Sequence, residues 1–195
     1  MAIPNRIITS EAFDAWVQLP ENVDKQFELL GGEIVEVPSN PYVSKIAGLV
    51  LTFINIYLFE HDIGHVTGEA GGYMVATDRY APDVAFISYE KQAELAKTGY
   101  NPNPPDLAVE VISAENSSAE SLSLNIKIGN YLAVGTMLWV VRPESQTIEV
   151  YQQATPTKVY RQNDTIKLET ILPNFELKLS DIFKDAPSDK NENGA

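Results

Sequence analysis

Apolar positions fall into short runs divided by polar, glycine- or proline-bearing stretches, and the period of each run predicts its element. From Pro41 onward, Val43, Ile46, Ala47, Val50, Leu51, Ile54 and Leu58 recur at the spacing of one helical face. Leu49, Phe53 and Ile56 add apolar groups on the other side, so this helix is expected to be buried on most faces. "SEAFDAWVQL" (10–19) predicts a short helix with Ser10 as N-cap, and "EKQAELAKT" (90–98) a surface helix. Residues 118–134 predict another, ended by Gly135. "FELLGGEIVEVP" (27–38) predicts two strands turning at Gly31-Gly32. Further strands are expected near 65–69 and 73–77, on either side of Gly71-Gly72, and at 83–88, 106–113 and 137–143. Segments 147–153, 158–162, 165–169 and 175–179 alternate like hairpin strands. "NPNPP" (101–105) can only be loop, and the polar tail 184–195 is expected to be disordered. This order predicts one α/β domain over 1–183, a mixed β-sheet flanked by helices with a C-terminal β-meander.

Composition narrows the function. No cysteine is present, which removes disulfides, thiol nucleophiles and cysteine metal sites and suits a reducing, cytoplasmic setting. The first residues lack a basic region followed by an apolar stretch, so no secretion signal is expected. The apolar segment 43–59 is interrupted by Ser44, Lys45, Thr52 and Asn55 and falls short of the ~20 residues of a membrane span, so no membrane partner is expected. Acidic residues outnumber basic ones 27 to 14, for a formal charge of −13. Such a chain repels nucleic acid at long range.

Two carboxylates stand where apolar residues would serve better. Asp83 follows Pro82 at the mouth of the run Val84–Ile87. Glu110 lies inside "LAVEVIS", on the strand face of Asp106, Ala108 and Ile112. A buried carboxylate needs a partner, a metal or a proton. Lys127 and Tyr131 share one face of the helix "NIKIGNYLAVG". Two carboxylates and a lysine suit a hard cation and a phosphate. Asp106 is too far along its strand from Glu110, about 13 Å, to share an ion, and is read as a strand-entry or loop residue. His61 and His65 in "HDIGH" lack the glutamate of a zinc-protease motif and are read as loop or surface groups. Trp139 is read as core and Gly71-Gly72 as a turn.

The ordered set "FELLGGEIVEV", "PDVAFIS", "PPDLAVEVIS", Lys127-x3-Tyr131-x3-Gly135, "LWVVRP" and "LPNFELKLSDIF" resembles the Uma-type restriction endonuclease family of the PD-(D/E)XK superfamily, across about residues 10–183. The resemblance implies a restriction-endonuclease-like core and a Mg²⁺-dependent DNA endonuclease, with Mn²⁺ as a substitute. Asp83 matches the "PD" aspartate and Glu110 the second acid. The position two residues later, where the superfamily pattern has lysine, holds Ile112 here, and Lys127 matches the lysine that this family carries on the following helix. The backbone carbonyl of Val111 is implied as a further metal ligand. Glu33 or Glu28 would complete the site, and Glu33 is favoured. A homodimer is implied as well. The acidic balance leaves three expectations open. A protein partner could bind the DNA; the cleft alone could be basic, through Arg79, Lys91, Lys97 or Arg142; or the chain could be a non-catalytic binding or assembly module that keeps the fold.

Overall fold

The computed structural model describes residues 7–22, 27–36, 40–113 and 118–183. The tail 184–195 and part of the acidic stretch around 114–117 lie outside the described residues. Helix α1 (Ser10–Trp16) is capped by Thr9, one residue earlier than expected; its hydroxyl accepts from the Ala12 amide at 3.2 Å. Strands β1 (Phe27–Leu30) and β2 (Glu33–Glu36) form the expected hairpin. Gly31 and Gly32 carry its turn at φ 58° and 86°, a conformation side chains resist. Helix α2 (Pro41–Glu60) starts after the cap Asn40, whose side chain accepts from the amides of Tyr42 and Val43.

Next come β3 (Gly64–Gly68), β4 (Tyr73–Val75), β5 (Asp78–Tyr80), β6 (Val84–Ser88) and β7 (Leu107–Val111). The expected single strand over 73–77 is instead the first arm of a β4–β5 hairpin. Ala76, at φ 53°, makes the tight turn without a glycine, which is why the sequence pattern does not show it. The helix expected at 90–98 does not form. There Gln92, Asn101 and Asn103 exchange side-chain amide hydrogen bonds at 2.6–3.0 Å, and Asn101 also accepts from the Ala96 amide at 3.1 Å. These local bonds replace a helical ladder. Helix α3 (Ser118–Ala133) ends at Gly135, φ 79°, as expected.

Strands β8 (Met137–Arg142), β9 (Thr147–Gln152) and β10 (Thr155–Arg161) follow, then β11 (Thr165–Leu168), β12 (Phe175–Lys178) and the short α4 (Leu179–Phe183). A mixed six-stranded sheet runs β10-β9-β8-β7-β6-β3, with only β7 and β8 parallel. A four-stranded sheet runs β2-β1-β5-β4. The expected meander divides: β9 and β10 extend the central sheet, whereas β11 and β12 form a separate pair.

Alternation along the central strands separates two cores. One face, with Val84, Phe86, Val109 and Trp139, packs on α2, α4 and the β11–β12 pair. The other, with Ala85, Ile87, Ala108 and Val140, packs on α3 and the four-stranded sheet. Helix α2 is long and apolar enough to cross a membrane by length and composition, but Val43, Ile46, Ala47, Val50 and Ile54 are built into the first core. Its remaining face is partly open, with Ile56 and Phe59 exposed, so it is less enclosed than the apolar count suggests.

Candidate functional site

Glu110 projects from the central sheet toward α3. Its strand pairs in parallel with β8, and the Val84↔Val109 pairing brings Asp83, at the mouth of β6, beside it. Asp83 Oδ2 accepts the Val111 amide at 2.6 Å, which ties the two strand ends together. Above them, Lys127 Nζ on α3 donates to Glu110 Oε2 at 2.9 Å and lies 2.9–3.0 Å from both carboxylate oxygens of Glu28. Glu28 Oε1 also accepts the Ala81 amide at 2.9 Å, just before the Pro82-Asp83 corner. The remaining Glu110 oxygen, Oε1, accepts the Tyr131 hydroxyl at 3.1 Å. Four charged groups from β1, β6, β7 and α3 thus meet at one end of the sheet. They lie 99 residues apart at the extremes, from Glu28 to Lys127.

Burial sets the electrostatics. It pushes Asp83 up to about 6, against the pull of the Val111 amide and Lys127, and Glu110 up to about 7, against Lys127. Burial also disfavours the Lys127 charge, but the carboxylates of Glu110 and Glu28 outweigh it and hold the ammonium above its ordinary value. Tyr131 is raised well above the usual phenol range by burial and then by Glu110.

The structure unites Asp83, Glu110 and Lys127 and seats Glu28, not the favoured Glu33, against the lysine. Glu33 sits exposed at the far side of the Gly-Gly turn, opposite Leu30. Glu28 lies in a fully buried strand, between Phe27 and Leu29. A lone acid inside an apolar strand is the signal that singles out Glu110, and it was equally present in "FELL". The buried run Asp78-Arg79-Tyr80 had no such signal, because polar residues that bury by pairing leave no apolar period.

Other candidates serve structure. Asp106 accepts the Ser88 amide and pairs with Lys91 at the opposite end of β7, which fits a strand-entry role. His61 caps α2 and stacks on Tyr57, whereas His65 lies in β3 and not in a loop. Trp139 is fully buried against Phe175. The turn lies at Glu69-Ala70, before Gly71-Gly72, and a Cβ at Gly72 would stand 2.4 Å from the Tyr100 ring, so that glycine permits close packing.

Comparison with known proteins bears on this arrangement. The family model described as "Uma2: Putative restriction endonuclease" matches residues 11–180. The chain belongs to the Uma2 family. The crystal structure of a DUF820 nuclease from Anabaena variabilis ATCC 29413, itself termed putative, aligns with this Uma2 chain at TM-score 0.74 and 22% identity. The alignment covers 91% of this chain and 98% of that one. At that identity the likeness establishes the fold. No curated protein matches.

For the divalent metal that the sequence resemblance leads one to expect, Asp83 and Glu110 offer carboxylate oxygens. Two adjacent, desolvated carboxylates are hard oxygen donors, and Mg²⁺ needs only one or two such side chains, with waters completing its shell. Among the described residues no three His, Asp or Glu side chains are grouped so as to hold a metal ion. The pair would therefore depend on non-side-chain oxygens for the rest of the shell.

Proposed function

We propose that this Uma2 chain hydrolyses phosphodiester bonds in DNA with Mg²⁺ or Mn²⁺ at the Asp83–Glu110 end of the central sheet. The observation that carries the reading is Lys127 held between buried Glu28 and Glu110 beside Asp83. Burying such charges costs stability, and apolar packing would be cheaper, so a chemical role explains their presence better than a structural one. Asp83, Glu110 and the Val111 carbonyl would hold the cation. When bound, it would polarise a phosphoryl oxygen and acidify a bound water. Lys127 supplies positive charge to the phosphate, and Glu28, the other glutamate expected as a candidate to complete the site, keeps the ammonium aimed between the strand ends. Hydrolysis forms a bond from water oxygen to phosphorus and breaks one P–O ester bond, and the leaving oxygen takes a proton. A homodimer would bring two such sites to the two strands of a duplex.

The test is cleavage of plasmid and single-stranded DNA with Mg²⁺ or Mn²⁺ by wild type, Asp83→Ala, Glu110→Ala and Lys127→Ala. Wild type should cleave, and each variant should lose at least about 10²-fold in rate. Equal cleavage by all four, or none by wild type, sinks the reading. A second reading, a non-catalytic binding or assembly module, draws on the basic residues. Arg79 is buried against Asp14, Lys91 pairs with Asp106, and Arg142 with Glu149. These are poor phosphate contacts, and a DNA-binding protein partner would then supply the nucleic-acid surface. Under that reading Mn²⁺ leaves thermal stability unchanged.

A further inference from the structure

Two buried tyrosines lie beneath the charged groups, and the proposed chemistry does not use them. Tyr80 and Tyr131 are both fully buried, with ring centroids 5.3 Å apart. The Tyr80 hydroxyl donates to Asp78 Oδ2 at 2.8 Å and accepts from Asn130 Nδ2 at 2.6 Å. Asn130 donates to the same Asp78 oxygen at 2.9 Å, and the Gly31 amide does so at 3.0 Å. With its hydroxyl engaged there, Tyr80 meets Lys127 through its ring face, whose centroid is 5.5 Å from Nζ. Tyr131 lies one helical turn beyond Lys127, so α3 grips the two oxygens of Glu110 from successive turns. That grip fixes the plane of the carboxylate and with it the direction of its remaining lone pairs.

We propose that Tyr131 and Tyr80 are positioning residues for this site: Tyr131 orients Glu110, and the ring face of Tyr80 holds the ammonium of Lys127. The proposal rests on the reading of Asp83, Glu110 and Lys127 given above. A merely space-filling tyrosine is replaced by phenylalanine with little consequence. A positioning tyrosine is not replaced at Tyr131, where the hydroxyl acts, yet is replaced at Tyr80, where the ring acts. The network from Asp78 through Asn130 then serves to hold α3 in register with the four-stranded sheet. Groups that orient a metal-binding carboxylate commonly change metal affinity 10–100-fold when removed.

The experiment compares wild type, Tyr131→Phe, Tyr80→Phe and Tyr80→Leu in two ways. Metal-free protein is labelled for NMR at the Glu carboxyl carbon and the Lys ε-methylene, with signals assigned through Glu110→Gln and Lys127→Arg. Mn²⁺ affinity is measured by calorimetry on the same variants. Tyr131→Phe should shift the Glu110 carboxyl signal and weaken Mn²⁺ binding at least about 10-fold, with folding cooperativity intact. Tyr80→Leu should abolish the upfield ring-current shift of the Lys127 methylene, and Tyr80→Phe should retain it. An unmoved Glu110 signal in Tyr131→Phe, or an unmoved Lys127 signal in Tyr80→Leu, overturns the proposal. If wild type binds no Mn²⁺, the metal reading falls by itself, while the metal-free spectra still decide the positioning roles.

Discussion

Lys127 is the residue whose removal should be felt most. Among the described residues it is the one cation in contact with both Glu28 and Glu110, which are themselves buried. Lys127→Met should therefore cost about 3–5 kcal/mol in urea unfolding at neutral pH, because two carboxylates remain without a counter-charge. Acidification to pH 5, which lets Glu110 take a proton, should recover part of the loss. Glu28→Gln should weaken the fold and the proposed activity, whereas Glu33→Gln, at an exposed hairpin position, should change stability by under about 0.5 kcal/mol. The wild-type pH response follows from the raised carboxylates. Asp83 moves from 3.8 to about 6 and Glu110 from 4.5 to about 7 on folding, so the native state holds more protons than the unfolded chain between these values. Their contribution is thus fully present in acid and is lost as pH rises through that window. Metal binding needs the ionised forms and should strengthen over the same interval. Metal-free melting temperatures from pH 4.5 to 8, with Glu110→Gln as the flattened control, measure the first effect.

Elements bring these residues together through tight approaches that tolerate little change. At Gly64 a Cβ would stand 2.4 Å from the Ile87 carbonyl and 2.6 Å from the Phe86 ring, at the β3–β6 pairing. Gly64→Ala should cost about 1–3 kcal/mol by equilibrium unfolding, because the obstacle is partly backbone. Gly135→Ala, placing a side chain at φ 79°, should cost about 1 kcal/mol for a different reason, loss of the left-handed cap that ends α3 four residues past Tyr131. Strand β10 forms one edge of the central sheet and carries Pro156, Lys158 and a register shift between Thr155 and Lys158. Each of those features discourages pairing with a further strand.

For the whole molecule, the charge of −13 and the pairing of Arg79, Lys91 and Arg142 keep long-range attraction for DNA weak. Under the proposed function, local chemistry at the sheet end would then carry recognition, and metal binding would be its most direct readout. Mn²⁺ at about a hundred times its dissociation constant should stabilise the fold by about 2.7 kcal/mol, seen as a rise in melting temperature that Asp83→Ala removes. Much of this organisation was legible in the chain. Helix α2, the Gly-Gly hairpin, the cap at Gly135 and the strands from β6 to β12 follow from apolar period and turn chemistry, which are local properties. Glu110 and Lys127 were visible because each interrupts an apolar pattern, and Asp83 because it stands at the mouth of one. Turn geometry without glycine hid β5, and a side-chain amide network displaced the expected helix at 90–98. The choice of Glu28 over Glu33, the burial of Asp78 and Tyr80, and the grip of Tyr131 on Glu110 belong to the tertiary structure alone. They depend on which strand of the small sheet faces α3 across a gap of many residues in sequence, and period along one segment carries no information about what lies opposite it.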